Sequence, residues 1–381
     1  MNLWREVTLG EACELYQPQT ISTAQLVEDG PYEVFGANGV IGRYDKFNHE
    51  KPQLLVTCRG ATCGTVNKSS PKAWINGNAM VVRPKSDNID LGYLEHLLRG
   101  GIDLSSAITG AAQPQITRQS LAPIKTRFPP LPEQRRIAAI LDQADALRAK
   151  RREALAELDQ LTQSIFNEMF TRGLDGPVVD VAQERYGIPQ DWSWELLTDV
   201  ARLATGHTPD REREEYWNGE VPWISLTDIR GLDGSIATKT LQCVTQQGLD
   251  NSSAVRLPKG TVCLSRTASV GFVTIMGRDM STSQDFVNWV CGARITPTYL
   301  MLALLSARHR LRALSSGSTH RTIYMRVVEK FKVLVPPIRL QQEFTENIND
   351  LTSHKLTNTK SLSEMDSLFA SLQHRAFRGE L

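Results

Sequence analysis

Apolar residues recur at alternating steps of three and four along two long stretches of this chain, against a background of short β-rich runs. From Glu133 onward, Ile137, Ile140, Leu141, Ala144, Leu147, Ala154, Leu158, Leu161, Ile165 and Met169 follow the spacing of a coiled-coil seam. Phe344, Ile348, Leu351, Leu362, Met365, Phe369, Leu372 and Ala376 repeat that spacing near the other end. Neither stretch holds an internal Gly or Pro, and each follows a Pro near its first turn, where a missing N–H costs nothing. Elsewhere Leu54 to Cys58, Ala79 to Val82, Thr261 to Ser265 and Phe286 to Val290 read as strands bounded by Gly, Asn, Ser and Pro. Each helical seam is interrupted by polar residues, Arg151 in the first, Lys355 and Asn358 in the second. In an antiparallel pair these midpoints meet and fix register; the competing reading is that the side chains simply reach out to water.

The chain repeats itself. At a spacing of 207 residues Arg59 falls on Arg266, Gly64 on Gly271, Gly110 on Gly317, Pro129-Pro130 on Pro336-Pro337 and Gln134 on Gln341. Near the start of each half the spacing is 188, pairing Trp4 with Trp192 and Leu15 with Leu203. The second copy therefore carries about 19 extra residues, and the extra segment is expected to include Gly206 to Arg211 and Ser225 to Arg230. The predicted fold class is α+β: two strand-rich units in tandem, each followed by a long helix, the helices forming an antiparallel coiled coil with pseudo-twofold symmetry. The predicted boundaries are a first unit at 1–130, a helix at 131–172, a second unit at 173–335 with a linker at 173–190, and a second helix at 336–381. A helix of roughly 38 residues is about 57 Å long, so the expected shape is a spacer with two heads.

Composition narrows what such an object does. With 43 Lys and Arg against 42 Asp and Glu, the net charge of +1 excludes binding to nucleic acid through bulk positive charge alone. It leaves room for basic groups gathered on one face, or for a basic partner. Six cysteines at 13, 58, 63, 243, 263 and 291 form no Cys-x-x-Cys pair and read as buried, reduced thiols. No apolar run is long enough for a membrane span, and the first residues lack the layout of a signal peptide, so a cytoplasmic protein is expected. No phosphate-binding Gly-x-x-x-x-Gly-Lys-Ser/Thr loop, Asn/Asp-Pro-Pro-aromatic tetrapeptide or nucleophile constellation stands out. Two different heads on a rod suit duplex DNA with a split, asymmetric site. A protein-binding adaptor is the alternative, disfavoured by polar loops that lack clustered aromatics.

Phe128-Pro129-Pro130-Leu131-Pro132-Glu133-Gln134-Arg135-Arg136-Ile137-Ala138-Ala139-Ile140-Leu141-Asp142 resembles the central conserved region of type I restriction specificity subunits. Val335-Pro336-Pro337-Ile338, followed by Gln341-Gln342-Glu343-Phe344, resembles their distal conserved region, with Arg339-Leu340 departing from the first copy's Pro132-Glu133. The resemblance spans essentially the full chain. It implies two target recognition domains, no catalysis by the chain itself, and docking of two methyltransferase subunits that methylate adenine with S-adenosylmethionine. It further implies that two motor-nuclease subunits, using ATP and Mg, can join the complex.

Candidate DNA contacts follow from side-chain chemistry, with Arg suited to guanine or phosphate, Asn and Gln to adenine, and Ser and Thr as adaptable donors. In the first unit these are Asn38 and Arg43 by an Asn-Gly turn, Arg59 and Thr62 at a strand end, and Gln113, Gln115, Thr117 and Arg118 in a Gly-containing loop. In the second they are His207, Thr208, Arg211, Thr227, Arg230, Arg266, Ser269, Ser283, Gln284, Ser318, His320 and Arg321. Each has a bland counterpart, a hairpin turn for Asn38-Gly39 and a locally paired arginine for Arg59. Arg308, Arg310 and Arg312 read as a solvated helix face, and Arg148, Lys150, Arg151 and Arg152 as a charged coiled-coil exterior.

Overall fold

The computed structural model describes residues 4–110, 113–172, 178–180, 188–317 and 321–381. The fold is α+β, as the patterning predicts, and forms two compact units, Met1–Ala154 with Asn358–Leu381, and Leu155–Thr357.

In the first unit an antiparallel sheet runs in the order Cys13–Tyr16, Ala79–Pro84, Leu54–Thr57, Val66–Lys68. Its central strand is buried on both faces. Leu54 and Val56 point into the core shared with the long helices, while Leu55 faces Phe35, Ile75 and Val81. A second, three-stranded sheet places Tyr32–Gly36 between Gly39–Tyr44 and Trp74–Ile75.

The second unit builds the same two sheets. Ala201–Thr205, Phe286–Cys291, Val262–Ser265 and Val273–Met276 follow the first unit's order, and Ile236–Ala237 adds a fifth, parallel strand. Trp217–Ile224 lies between Gln242–Val244 and Ser281–Thr282. Matching registers locate the extra residues. Val34 pairs with Trp74 as Trp223 does with Ser281, so the copies are still in step there. The insertion therefore lies between Ile224 and Val262, which contains Ser225 to Arg230 but leaves Gly206 to Arg211 outside, against the expectation.

The two long helices are Leu131–Phe166, extended by a π-type turn at Asn167–Thr171, and Ile338–Ala376. Within each unit they pack antiparallel: Arg148 pairs with Asp366 and Arg151 with Asn358 in the first, Lys355 pairs with Asp159 and Phe344 packs on Phe166 in the second. The polar midpoint residues therefore do meet. The seam itself differs from the expected one, for Leu147 is 51% and Leu161 43% exposed. Three-four steps from Ile137, Leu141 and Ala144 land on Arg148, Arg151, Leu155, Leu158 and Thr162, all half-buried, one residue beyond each exposed leucine. Arg148 is thus no exterior charge; it lies over the Phe369 ring at 4.2 Å and bonds Asp145 and Asp366.

Each helix start is fixed by a buried amide. Gln134 donates to the carbonyls of Pro129 and Asn88 at 2.8 and 2.9 Å and accepts from Asp90 N–H at 2.9 Å. Gln341 repeats this with Pro336, Arg294 and Thr296. Asp90 and Thr296 are themselves N-caps, of the helices at Leu91–His96 and Pro297–Ser306. The Pro-Pro-x-x-x-Gln motif is therefore a staple between two helix N-termini.

Candidate nucleic-acid interface

Loops at one end of each main sheet are cross-tied by backbone and side-chain hydrogen bonds. In the first unit Thr57 Oγ1 donates to Ala37 O and Asn67 Nδ2 to Asn38 Oδ1 at 3.1 Å, which holds the turn between Tyr32–Gly36 and Gly39–Tyr44 beside the strand end. The next loop turns through Gly60 and Gly64, at φ 87° and 90°, a region that favours glycine. Gly60 N–H donates to Pro114 O, and Arg59 and Gln115 form a backbone bridge. Gln17 Nε2 and Gly77 O, with Gly77 N–H and Thr20 Oγ1, tie in a fourth loop. Asn38, Arg59, Thr62, Gln113 and Gln115 are exposed along this edge.

Other candidates in this unit have structural posts. Arg43 donates to the carbonyls of Gly30 and Pro31. Thr117 caps the helix Arg118–Leu121 by accepting from Ser120 N–H, and Arg118 is exposed on its first turn.

The second unit joins its loops in the same way. His207 N–H donates to Thr282 O, Thr208 Oγ1 to Gln284 Oε1, and Arg266 Nη2 to Gln284 O at 3.0 Å. Ala268, a non-glycine at φ 58°, donates its N–H to Arg321 O. His207, Arg211, Gln284 and Arg321 are exposed here. Ser269 and Ser283 lie below the surface, 8% and 2% exposed, and the Ser283 hydroxyl donates to Asp285. Thr227 is exposed two residues past the Ser225 cap, and Arg230 is exposed on the same helix, Leu226–Leu232. Ser318 and His320 lie outside the described residues.

The expected equivalence of Arg59 and Arg266 fails. Cys58 N–H donates to Asn78 O as Arg266 N–H does to Asp285 O, and Ile116 N–H donates to Cys58 O as Ile323 does to Arg266. Arg266 thus occupies the place of Cys58, and Arg59 that of Thr267. The loop from Thr57 to Gly64 holds one residue more than that from Ser265 to Gly271, and identical side chains in the sequence conceal the slip.

Of Arg308, Arg310 and Arg312, the last two are exposed, as a solvated face would be, but all three side chains also make internal contacts. Arg308 Nη2 contacts both Asp233 oxygens, at 2.7 and 2.6 Å, and its Nε donates to Gly271 O. Arg312 Nε donates to Val270 O, and Arg310 pairs with Asp180. Arg308 and Arg312 thereby brace the 266–272 loop. By contrast Arg59, Arg118, Arg211, Arg230 and Arg321 make no ion pair among the described residues. All five are exposed, as a residue reaching phosphates or base edges must be.

Sequence reasoning missed Gln17, Thr20 and Asn67, which brace the first edge, and Trp217 and Trp223 behind Arg211. All six cysteines are free, and burial pushes the Cys13 and Cys291 thiols up to about 12. Among the described residues no group of three or more His, Cys, Asp or Glu side chains is placed to hold a metal. Among them, too, no helix is long and apolar enough to cross a membrane.

Known proteins resemble this arrangement. The chain is 25% identical over 183 residues to the MjaIX specificity subunit of a type I restriction enzyme from Methanocaldococcus jannaschii, covering 47% of this chain and 42% of that one. It is 22% identical over 257 residues to the HindI specificity subunit of Haemophilus influenzae, covering 65% and 55%. The chain thus spans about half the length of the curated relatives it matches. Its fold is like that of the type I restriction-modification S subunit from M. genitalium, with a TM-score of 0.62 at 16% identity over 98% of this chain and 96% of that one. The family model described as the type I restriction modification DNA specificity domain matches residues 1–159 and again 189–364. With both halves matched and both built on one plan, the chain belongs to the type I restriction modification DNA specificity domain family.

Proposed function

We propose that this chain is the DNA sequence-specificity subunit of a type I restriction-modification complex. It reads a bipartite, asymmetric double-stranded target, one half-site per recognition unit, and is itself non-catalytic. One observation carries the reading: two homologous units each gather several loops at a sheet end, and the two edges present different exposed side chains. The first presents Asn38, Arg59, Thr62, Gln113 and Gln115, the second His207, Arg211, Gln284 and Arg321. Such sets suit base edges and phosphates, and their difference suits unlike half-sites.

Catalysis belongs to two methyltransferase subunits docked on the chain, which transfer methyl groups from S-adenosylmethionine to adenine, one on each strand. Motor-nuclease subunits using ATP and Mg complete the restriction form. The setting is the cytoplasm, where foreign DNA is met. A net charge of +1 favours a division of labour in which the partners contribute much of the phosphate attraction. The test is co-production with a type I methyltransferase subunit that binds this chain, followed by mapping of N6-methyladenine. The expected result is one split, asymmetric motif that disappears when this chain is omitted. Methylation that is sequence-independent, or indifferent to this chain, contradicts the proposal.

A further inference from the structure

Among the candidate arginines Arg211 is held in its own way. Its guanidinium carbon lies 5.2 Å from the ring centre of Trp217 and 5.4 Å from that of Trp223, and the two indoles meet edge to face at 5.1 Å. Both indoles also fix the loop that carries it. Trp217 Nε1 donates to Asp210 O at 3.0 Å and Trp223 Nε1 to His207 O at 3.1 Å. From the other side His207 N–H and Thr208 Oγ1 bond Thr282 O and Gln284 Oε1. The segment from His207 to Arg211 is therefore clamped on two flanks.

The way the arginine is held matters chemically. An arginine fixed by a carboxylate or a carbonyl uses its N–H donors internally, as Arg43, Arg266 and Arg308 do. One fixed through the ring faces is held by attraction to the π-clouds and keeps all its in-plane donors for a ligand. Arg211 is exposed and makes no ion pair or hydrogen bond among the described residues. Its planar fork matches the O6 and N7 acceptors of guanine in the major groove, a pattern that no other base edge offers. Flexible arginines contact phosphate adequately; a clamped one with its donors free is arranged for a fixed acceptor pair.

We infer that Arg211, oriented by Trp217 and Trp223, reads a guanine in the half-site of the second unit. This rests on the chain being a DNA reader and adds which residue sets one base of its target. Trp217 and Trp223 are positioning residues; Arg211 alone makes the contact.

The experiment compares the full chain, with its methyltransferase partner, against Arg211→Ala, Arg211→Lys and Trp217→Phe on a randomised duplex library. It then uses the selected duplex with 7-deazaguanine at each guanine in turn. Wild type is expected to prefer guanine at one position by roughly 5- to 150-fold and to lose much of that on 7-deaza substitution there. Arg211→Ala should abolish the preference at that position alone and be indifferent to the deaza base. Arg211→Lys should keep the overall charge yet weaken the preference. Trp217→Phe, which keeps a ring face but loses the indole N–H, should weaken the preference at the same position and no other. A uniform loss on every sequence, with a shallower salt dependence, makes Arg211 a phosphate contact and overturns the inference. So does an Arg211→Ala variant with unchanged base preferences. If wild type itself selects no sequence, the DNA-reading proposal falls first and this inference with it.

Discussion

Replacing Gln134 with Leu tests whether the Pro-Pro-x-x-x-Gln motif is a structural staple. Gln134 is 1% exposed, and its amide serves three backbone groups: Pro129 O, Asn88 O and Asp90 N–H. Leucine fills similar space and serves none of them. A buried polar group left without a partner costs about 1–3 kcal/mol. The bond to Pro129 O is buried, and we assign its loss about 2 kcal/mol. The other two are half-buried beside a cleft of about 490 Å³, where water can take over in part, so each is assigned about 0.5 kcal/mol. The expected loss is about 3 kcal/mol, which for a unit of this size lowers its melting temperature by about 6–12 °C. Scanning calorimetry, in which the two units can melt as separate transitions, reads this directly. Gln341→Leu should move the second unit's transition and spare the first. A Gln134→Leu protein within about 0.5 kcal/mol of wild type would refute the staple, since that is the range of an ordinary surface change.

Two further outcomes follow from the helix contacts and from one buried imidazole. Asn358→Leu removes the acceptor for Arg151 and should cost about 1 kcal/mol, whereas Arg151→Leu with Asn358→Leu should recover that and more by joining two apolar residues at the seam. Simple additivity of the single losses in urea unfolding contradicts the contact. His49, bonded to Tyr16 Oη at 2.8 Å, has its pKa lowered below the ordinary 6.5 by burial and then by the nearby Arg83 charge. As pH falls through 6.5 the unfolded chain takes up the proton first, so this contribution is complete above that value and lost below it. Wild type should therefore lose stability relative to His49→Gln between about pH 7 and pH 5, and a His49 resonance titrating above 6.5 contradicts this.

Much of the architecture was legible because it is periodic or repeated. Leu54–Thr57 and Val262–Ser265 stand out as β-rich runs, and the meeting of Arg151 with Asn358 follows from a shared spacing. What stayed hidden depends on distant partners. The roles of Arg308 and Arg310 are set by Asp233 and Asp180, 75 and 130 residues away. Leu147 and Leu161 look like seam residues because they are leucines, yet the helical phase set by Ile137 and Leu141 turns them outward. In the candidate interface, Arg59 and Arg266 appear equivalent by identity, and only the strand registers reveal the slip. The clamp on Arg211 needs ring geometry that spacing alone does not specify.

The two sheets guard their open borders by different means. In the first unit the outermost strand, Val66–Lys68, is short and partly wetted, and its Lys68 is paired with Glu95. Charge of this kind discourages docking by a stray strand. In the second unit the corresponding Val273–Met276 is buried throughout and would be an inviting template, but Ile236–Ala237 from the inserted segment lies against it. The additional residues of the second copy thus act as a guard against self-association. A chimera that gave the second unit the first unit's shorter connection would uncover an apolar ribbon, and its failure would be precipitation rather than altered sequence preference.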